Sequence, residues 1–251
     1  MSTQSLEKTR LSELDILTSR TEPFPLHSAQ SFTFSPELAH EHGLALCDQK
    51  PFQWFLKRTL DITASALGIL GLSPLLLLVA LAIHLESKGP VLYMQKRVGL
   101  KGKLFKMYKF RSMHPNADDL LEQLLDQNQT NKGMFKLFND PRVTKVGRFI
   151  RKYSIDELPQ LLNVLKGDMS LVGPRPPIDR ELKHYERWHY LRFNTLPGLT
   201  GIWQVSGRSR IQEFDTVVSM DFRYIREWNI MLDLKLLLKT IPVVLGGMDT
   251  A

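Results

Sequence analysis

"LDITASALGILGLSPLLLLVALAIHLESKG", Leu60–Gly89, decides how this chain is built. From Ile62 to Ile83 it runs 22 residues without a charged side chain, enough for a membrane helix of ~20 residues. A buried core helix is the alternative, but core helices seldom run this long. Two features argue against a plain span. Gly68, Gly71, Ser73 and Pro74 occupy the middle. Pro74 has no N–H and its ring meets the carbonyl of Leu70, which predicts a bend near mid-depth, with Ser73 placed to satisfy the freed backbone groups. Both flanks are also basic. Lys57 and Arg58 precede the segment, and Lys88, Lys96, Arg97, Lys101, Lys103, Lys106, Lys109 and Arg111 follow it against Glu86 alone. The positive-inside rule keeps both flanks in the cytoplasm. A helix that enters, bends at Ser73-Pro74 and returns satisfies both features, so residues 51–87 read as a re-entrant membrane helix.

Outward from that segment the chain is unequal. Residues 1–50 read as a mobile polar tail with a short helix around Ser12–Ser19, and without a signal peptide. Across all 251 residues there are 33 Lys+Arg against 26 Asp+Glu. Residues 1–60 hold six basic and seven acidic residues, so residues 61–251 carry +8. A basic surface of that size faces nucleic acid, anionic lipid or a nucleotide substrate. Cys47 is the only cysteine, so no internal disulfide or thiolate metal site can form.

Downstream, Val91–Val98 and Leu104–Phe110 alternate around Gly99-Leu100-Lys101-Gly102, the pattern of a β-hairpin with a glycine turn. Its lysines suit lipid headgroups or a solvated face equally. Arg111 ends the second strand, where the chain turns toward a helix over Asp118–Gln127.

In "YSIDELPQLLNVLKGDMSLVGPRP", Tyr153–Pro176, Asp156 and Glu157 stand side by side. Ser154-x-x-Glu157 fits a capping box at a helix start, with Asp156 at the positive end of the dipole. The surroundings suggest more. Arg142, Arg148 and Arg151 precede the pair, and Lys166, Asp168 and Arg175 follow it. Arg148 and Arg151 are spaced to share a helix face. A carboxylate can attack phosphorus and carry it covalently. Its neighbour can hold Mg²⁺, which selects oxygen ligands, while arginines clamp phosphate oxygens and keep Asp156 ionised.

These residues resemble the bacterial sugar transferase family, the catalytic unit of monotopic phosphoglycosyl transferases. The likeness runs from about Phe52 to Gly247 through "FKRTLDI", "QKRVG", "KFRSM", "DPRVTKVGRFIRKYSIDELPQLLNVLKGDMSLVGPRP" and "LPGLTGIWQVSGR". It implies transfer of a sugar 1-phosphate from a UDP-sugar donor to undecaprenyl or another polyprenyl phosphate, with release of UMP. The setting implied is the cytoplasmic face of the inner membrane, at the first membrane step of exopolysaccharide, capsule, O-antigen or glycoconjugate synthesis. By resemblance Asp156 is the nucleophile, Glu157 assists through Mg²⁺ as metal ligand, and Pro174-Arg175-Pro176 contacts the nucleotide. Arg111, Arg148, Arg151, Asp168, Gln204 and Arg208 join them as candidates for phosphate and nucleotide binding. Larger members carry further N-terminal membrane helices. Residues 1–50 show none, so a small-type member with an added tail is expected.

The fold expected is α+β: a monotopic membrane protein with a re-entrant helix, a basic hairpin and a mainly helical cytoplasmic catalytic domain over residues 88–251. "LDLKLLLKTIPVVL", Leu232–Leu245, is too short to span and reads as an interfacial helix with Lys235 and Lys239 snorkelling, or as a core helix. Trp188, Tyr190 and Phe193 belong to the interface or to the core. "GIWQVSGRS" leans toward a hexose such as glucose or galactose. The partners expected are donor, acceptor and bilayer, with no nucleic acid, and a homodimer stays open. A basic nucleic-acid-binding protein has no need of the apolar segment, and a non-catalytic membrane scaffold has none of Asp156. An inverting transferase with a sugar acceptor lacks its Asp-x-Asp motif here.

Overall fold

The computed structural model describes residues 50–115, 117, 120, 137, 140–207, 211 and 213–246. The tail read at residues 1–50 lies outside the described residues but for Lys50. Nearly all of the helix read at Asp118–Gln127 lies outside them too, as does Arg208.

Helix α1 covers Pro51–Glu86. Pro51 sits in its first turn, where a missing N–H costs nothing. The backbone stays helical through Pro74 rather than breaking there. The reason is local: the Ser73 hydroxyl donates to the Leu70 carbonyl at 2.7 Å, the acceptor that proline cannot serve. Most of its apolar length is left uncovered by the rest of the described residues, unlike a core helix. Leu67, Leu70, Leu77, Leu78, Leu81 and Leu85 are all exposed.

A narrow face of α1 rests on the rest of the protein, at both ends. Near its start, Lys57 is buried and pairs with Asp233 at 2.6 Å, also donating to the Val172 carbonyl at 3.2 Å. Tyr224 Oη and Trp228 Nε1 donate to the same carboxylate at 2.8 and 3.2 Å. Arg58 donates to the Val164 and Leu165 carbonyls at 2.6 and 3.0 Å, closing the last turn of α3 (Leu161–Lys166). Asp61 accepts from Leu171 N–H at 3.0 Å. Near the far end, Val79 and Ile83 pack with Phe110 and Ile150. Glu86 accepts from Lys145 and Val146 N–H at 2.8 and 3.1 Å, at the positive first turn of α2 (Lys145–Lys152). Lys57 and Arg58 are thus tertiary ties, not free flanking charges.

Strands β1 (Leu92–Val98) and β2 (Leu104–Phe110) pair antiparallel, from Leu92 opposite Phe110 to Val98 opposite Leu104. A 3₁₀ turn at Leu100–Gly102 joins them, with Lys101 and Gly102 at φ 53 and 74°. A second, parallel pair joins β3 (Ser170–Val172) to β4 (Gly198–Thr200). Helices α4 (Ile202–Val205), α5 (Phe214–Glu227) and α6 (Ile230–Leu245) follow. The core gathers Met107, Val164, Met169, Val172, Ile225 and Trp228. It also takes Leu236 from α6, whose other side exposes Met231, Leu234, Leu238, Ile241 and Leu245 in one stripe beside exposed Lys235 and Lys239. Trp188, Tyr190 and Phe193 are buried, so these aromatics belong to the core. They sit in or beside the ring cluster around Tyr185 and His189.

Candidate active site

Helix α2 begins with Thr144, whose hydroxyl accepts from Gly147 N–H at 2.9 Å. Gly147 lies so close to β2's exit that a Cβ there would stand 2.0 Å from the Ser112 carbonyl. This approach lets Arg151 Nε donate to Ser112 Oγ at 2.8 Å. Arg151 and Arg148 do not share an environment: Arg148 is exposed and Arg151 turns inward. Burial lowers the Arg151 pKa, opposed by Asp156 first and then Asp140. Arg142 is committed to Asp140, with Nη2–Oδ2 at 2.6 Å and Nε–Oδ1 at 2.9 Å.

Asp156 and Glu157 stand on a 3₁₀ turn, Ile155–Gln160. The capping box expected at Ser154 is absent. Ser154 is left-handed (φ 54°) and its side chain makes no cap bond; Glu157 N–H goes to the Ser154 carbonyl at 3.1 Å. A capping serine needs an extended backbone, which this one lacks. The Glu157 carboxylate accepts instead from Lys109 Nζ at 2.8 Å. Pro159 falls within the 3₁₀ turn. Asp156 is 8% exposed. Its neighbour Ile155 packs on the Val79 and Ile83 cluster of α1.

Other predicted residues scatter. Arg111 is buried and donates through Nη2 to Ser87 carbonyl and Oγ at 2.7 and 2.9 Å, tying the end of α1. Its Nε and Nη1 have no partner among the described residues. Asp168 accepts from Asn163 Nδ2 at 3.2 Å, and that amide donates to the Lys106 carbonyl at 2.7 Å. Gln204 is brought to Gly201, which itself packs on the Gly173 carbonyl beside Pro174-Arg175-Pro176.

The hairpin links the two halves of the site. At one end Lys109 holds Glu157. At the other, buried Arg97 donates to the Pro176 carbonyl at 2.9 Å and to Gln95 Oε1 at 2.6 Å. Burial and then neighbouring Arg175 lower Arg97 to about 9, with Glu181 and Glu157 opposing. It stays cationic at neutral pH. Sequence reasoning took Lys57, Arg97 and Lys109 only as charges flanking the apolar segment and passed over Asp233. An arginine on the inward-facing side of an alternating strand, and a lone acid in an apolar helix, were the available signals.

The donor set around Asp156 suits a hard divalent cation: two adjacent carboxylates, Glu157 partly exposed, all oxygen. Among the described residues no cluster of three acidic, histidine or cysteine side chains exists, so such an ion would need oxygens from a bound phosphate as well.

The family model for bacterial sugar transferases matches residues 52–247. Galactosyl transferase CpsE of Streptococcus agalactiae is 49% identical over 191 residues, covering 76% of this chain and 42% of that protein. The undecaprenyl-phosphate galactose phosphotransferase of Salmonella typhimurium is 46% identical over 231 residues, 88% of this chain and 47% of its own length. The chain thus spans about half the length of these relatives or less. The exopolysaccharide production protein ExoY of Rhizobium meliloti is 40% identical over 221 residues, 86% of this chain and 94% of that one. By the family match and these identities, the chain belongs to the bacterial sugar transferase family.

Proposed function

We propose that this protein transfers a sugar 1-phosphate from a UDP-sugar to polyprenyl phosphate at the membrane surface. One observation carries the reading: the buried carboxylate of Asp156 sits beside Arg151 on a turn whose first residue, Ile155, packs on the apolar helix. In this reading Asp156 is the nucleophile for phosphorus, and the apolar helix beside its turn would bring the lipid phosphate to it.

An Asp156 oxygen attacks the sugar-proximal phosphorus of the donor. The bond from that phosphorus to the bridging oxygen breaks, and UMP leaves with the electron pair. The acceptor phosphate oxygen then attacks the same phosphorus and releases Asp156 as carboxylate, giving a lipid-linked diphosphate sugar. Arg151 sets positive charge beside Asp156, and Lys109 does the same for Glu157. Arg97 and Arg175 add positive charge toward the donor phosphates. Glu157 would hold a Mg²⁺ ion, which would supply charge neutralisation for the donor phosphates.

Helix α1 is re-entrant in this reading, with both ends on the cytoplasmic face. Its support is that both ends bind the same globular part. A hexose is the sugar, in keeping with the galactose in the names of two relatives.

The test is a donor screen. Purified protein, polyprenyl phosphate and a panel of UDP-sugars are assayed for UMP release. Without acceptor, labelled sugar phosphate should stay covalently on the protein, and Asp156→Asn should retain none. Near-normal UMP release by Asp156→Asn removes the aspartyl mechanism.

A further inference from the structure

Residues directly opposite in an antiparallel pair share a face, and so do residues two apart on one strand. The register therefore puts Leu92, Met94 and Lys96 on one face of the hairpin with Phe110, Tyr108 and Lys106. The other face is spent inside the protein. Met107 enters the core, Arg97 holds the Pro176 carbonyl and Lys109 holds Glu157.

The first face meets α1 at one end, where Phe110 packs on Val79 and Ile83. On the opposite side of that stretch of α1, Leu77, Leu78, Leu81 and Leu85 point outward and are exposed. A line drawn out from this hairpin face thus passes through α1 to its apolar outer side. The rest of the face looks the same way, about one helix diameter (~10 Å) beneath that side.

Lys96 and Lys106 are exposed there and stand directly opposite each other. Like charges so placed repel, and neither lysine has an ion pair among the described residues. Lys166 of α3 joins them. Its Nζ donates to Tyr108 Oη at 2.6 Å and lies 4.4 Å from the centre of that ring. Asp168, two residues beyond Lys166, accepts from the Asn163 amide instead. Beside these cations Leu92, Met94 and Leu104 are exposed. Uncompensated lysines among bare apolar side chains, next to an uncovered apolar helix, match an anionic lipid surface. An acidic protein segment would answer the charge but leave the adjoining side of α1 bare.

We propose that this hairpin face docks on anionic phospholipid, with Leu92 and Met94 at the boundary between headgroups and acyl chains and Lys96, Lys106 and Lys166 on the headgroup phosphates. The proposal rests on α1 lying in the membrane and adds the second surface that faces it.

The test uses the full chain in a Cys47→Ser background, in nanodiscs of phosphatidylcholine with a minor share of phosphatidylglycerol. A fluorophore is attached at Met94→Cys in one protein and at Leu78→Cys of α1 in another. Either phospholipid, carrying a nitroxide on its acyl chain, is the quencher. Each lysine at an anionic surface is worth ~fivefold in affinity, so the Met94 reporter should prefer nitroxide phosphatidylglycerol over nitroxide phosphatidylcholine by about tenfold or more. Lys96→Gln/Lys106→Gln/Lys166→Gln should cut that preference below about twofold and leave quenching at Leu78 unchanged. This variant loses a like-charge repulsion, so it should melt no lower than its parent. A preference that survives the triple substitution overturns the proposal. So does a Met94 reporter that neither lipid quenches and that aqueous iodide reaches as freely in discs as in detergent, which gives the face to water or to a soluble acidic partner. Quenching at Leu78 in that case keeps α1 in the membrane, whereas its absence sinks the membrane reading of α1 as well.

Discussion

Replacing Lys57 by methionine should be among the most damaging single changes outside the catalytic pair. Lys57 and Asp233 are both almost fully buried, 2.6 Å apart. Methionine fills much of the lysine volume but leaves Asp233 charged and buried, with only Tyr224 Oη and Trp228 Nε1 donating to it. Breaking a buried pair from one side costs ~3–5 kcal/mol. At ~2–4 °C per kcal/mol for a domain of this size, the melting temperature should fall by roughly 6–20 °C. The double variant Lys57→Met/Asp233→Leu removes both charges. Tyr224 Oη keeps the Val172 carbonyl at 3.0 Å, so only Trp228 Nε1 is left without its acceptor, a loss of ~1–3 kcal/mol. The double variant should therefore be more stable than Lys57→Met alone. The assay is thermal unfolding in detergent, followed by circular dichroism for all three proteins. A shift under about 3 °C for Lys57→Met, or additive losses in the double variant, would refute the buried pair as the anchor of α1.

Glu157→Gln should slow UMP release by ~10²-fold or more, since it removes a metal ligand or proton-transfer group; a near-normal rate excludes both roles. Excess EDTA should abolish turnover and Mg²⁺ restore it, whereas full activity in EDTA contradicts the metal assignment. In a Cys47→Ser background, single cysteines at Thr59 and Lys88 should both be protected from an impermeant thiol reagent in intact cells and label after lysis. A Thr59 cysteine that labels from outside shows a spanning helix. In the same background, an environment-sensitive fluorophore on Leu238→Cys should shift to the blue on anionic vesicles if the α6 stripe meets lipid, and no shift means that it faces water.

Some of this was legible in the sequence for physical reasons. A helix that leaves a long apolar face uncovered carries an unbroken apolar run, so Ile62–Ile83 announces itself. Strand alternation around a glycine turn likewise marks β1 and β2 as a hairpin pair. Local signals failed where tertiary contact overrode them. Ser154 matched a capping pattern, yet it adopts a left-handed turn, and Glu157 is claimed by Lys109, 48 positions away. Trp188, Tyr190 and Phe193 fit interface and core equally in sequence, and only their burial assigns them to the core. The charges around α1 are the sharpest case. The positive-inside rule treats basic residues near a membrane segment as facing water. Here Lys57 is spent on Asp233, 176 positions distant, Arg58 on two carbonyls, and Lys50 on the Trp228 carbonyl at 3.0 Å. The N-terminal half of the charge argument therefore disappears. Tertiary geometry replaces it. A spanning α1 would put Lys57 and Asp233 across the bilayer from Glu86, yet Asp233 and the α2 amides that bind Glu86 belong to one folded part. Crossing would require that the protein tear out a buried ion pair at one end or two backbone amide contacts at the other. That mechanical constraint is the stronger support for the re-entrant topology proposed above, and no window along the sequence contains it.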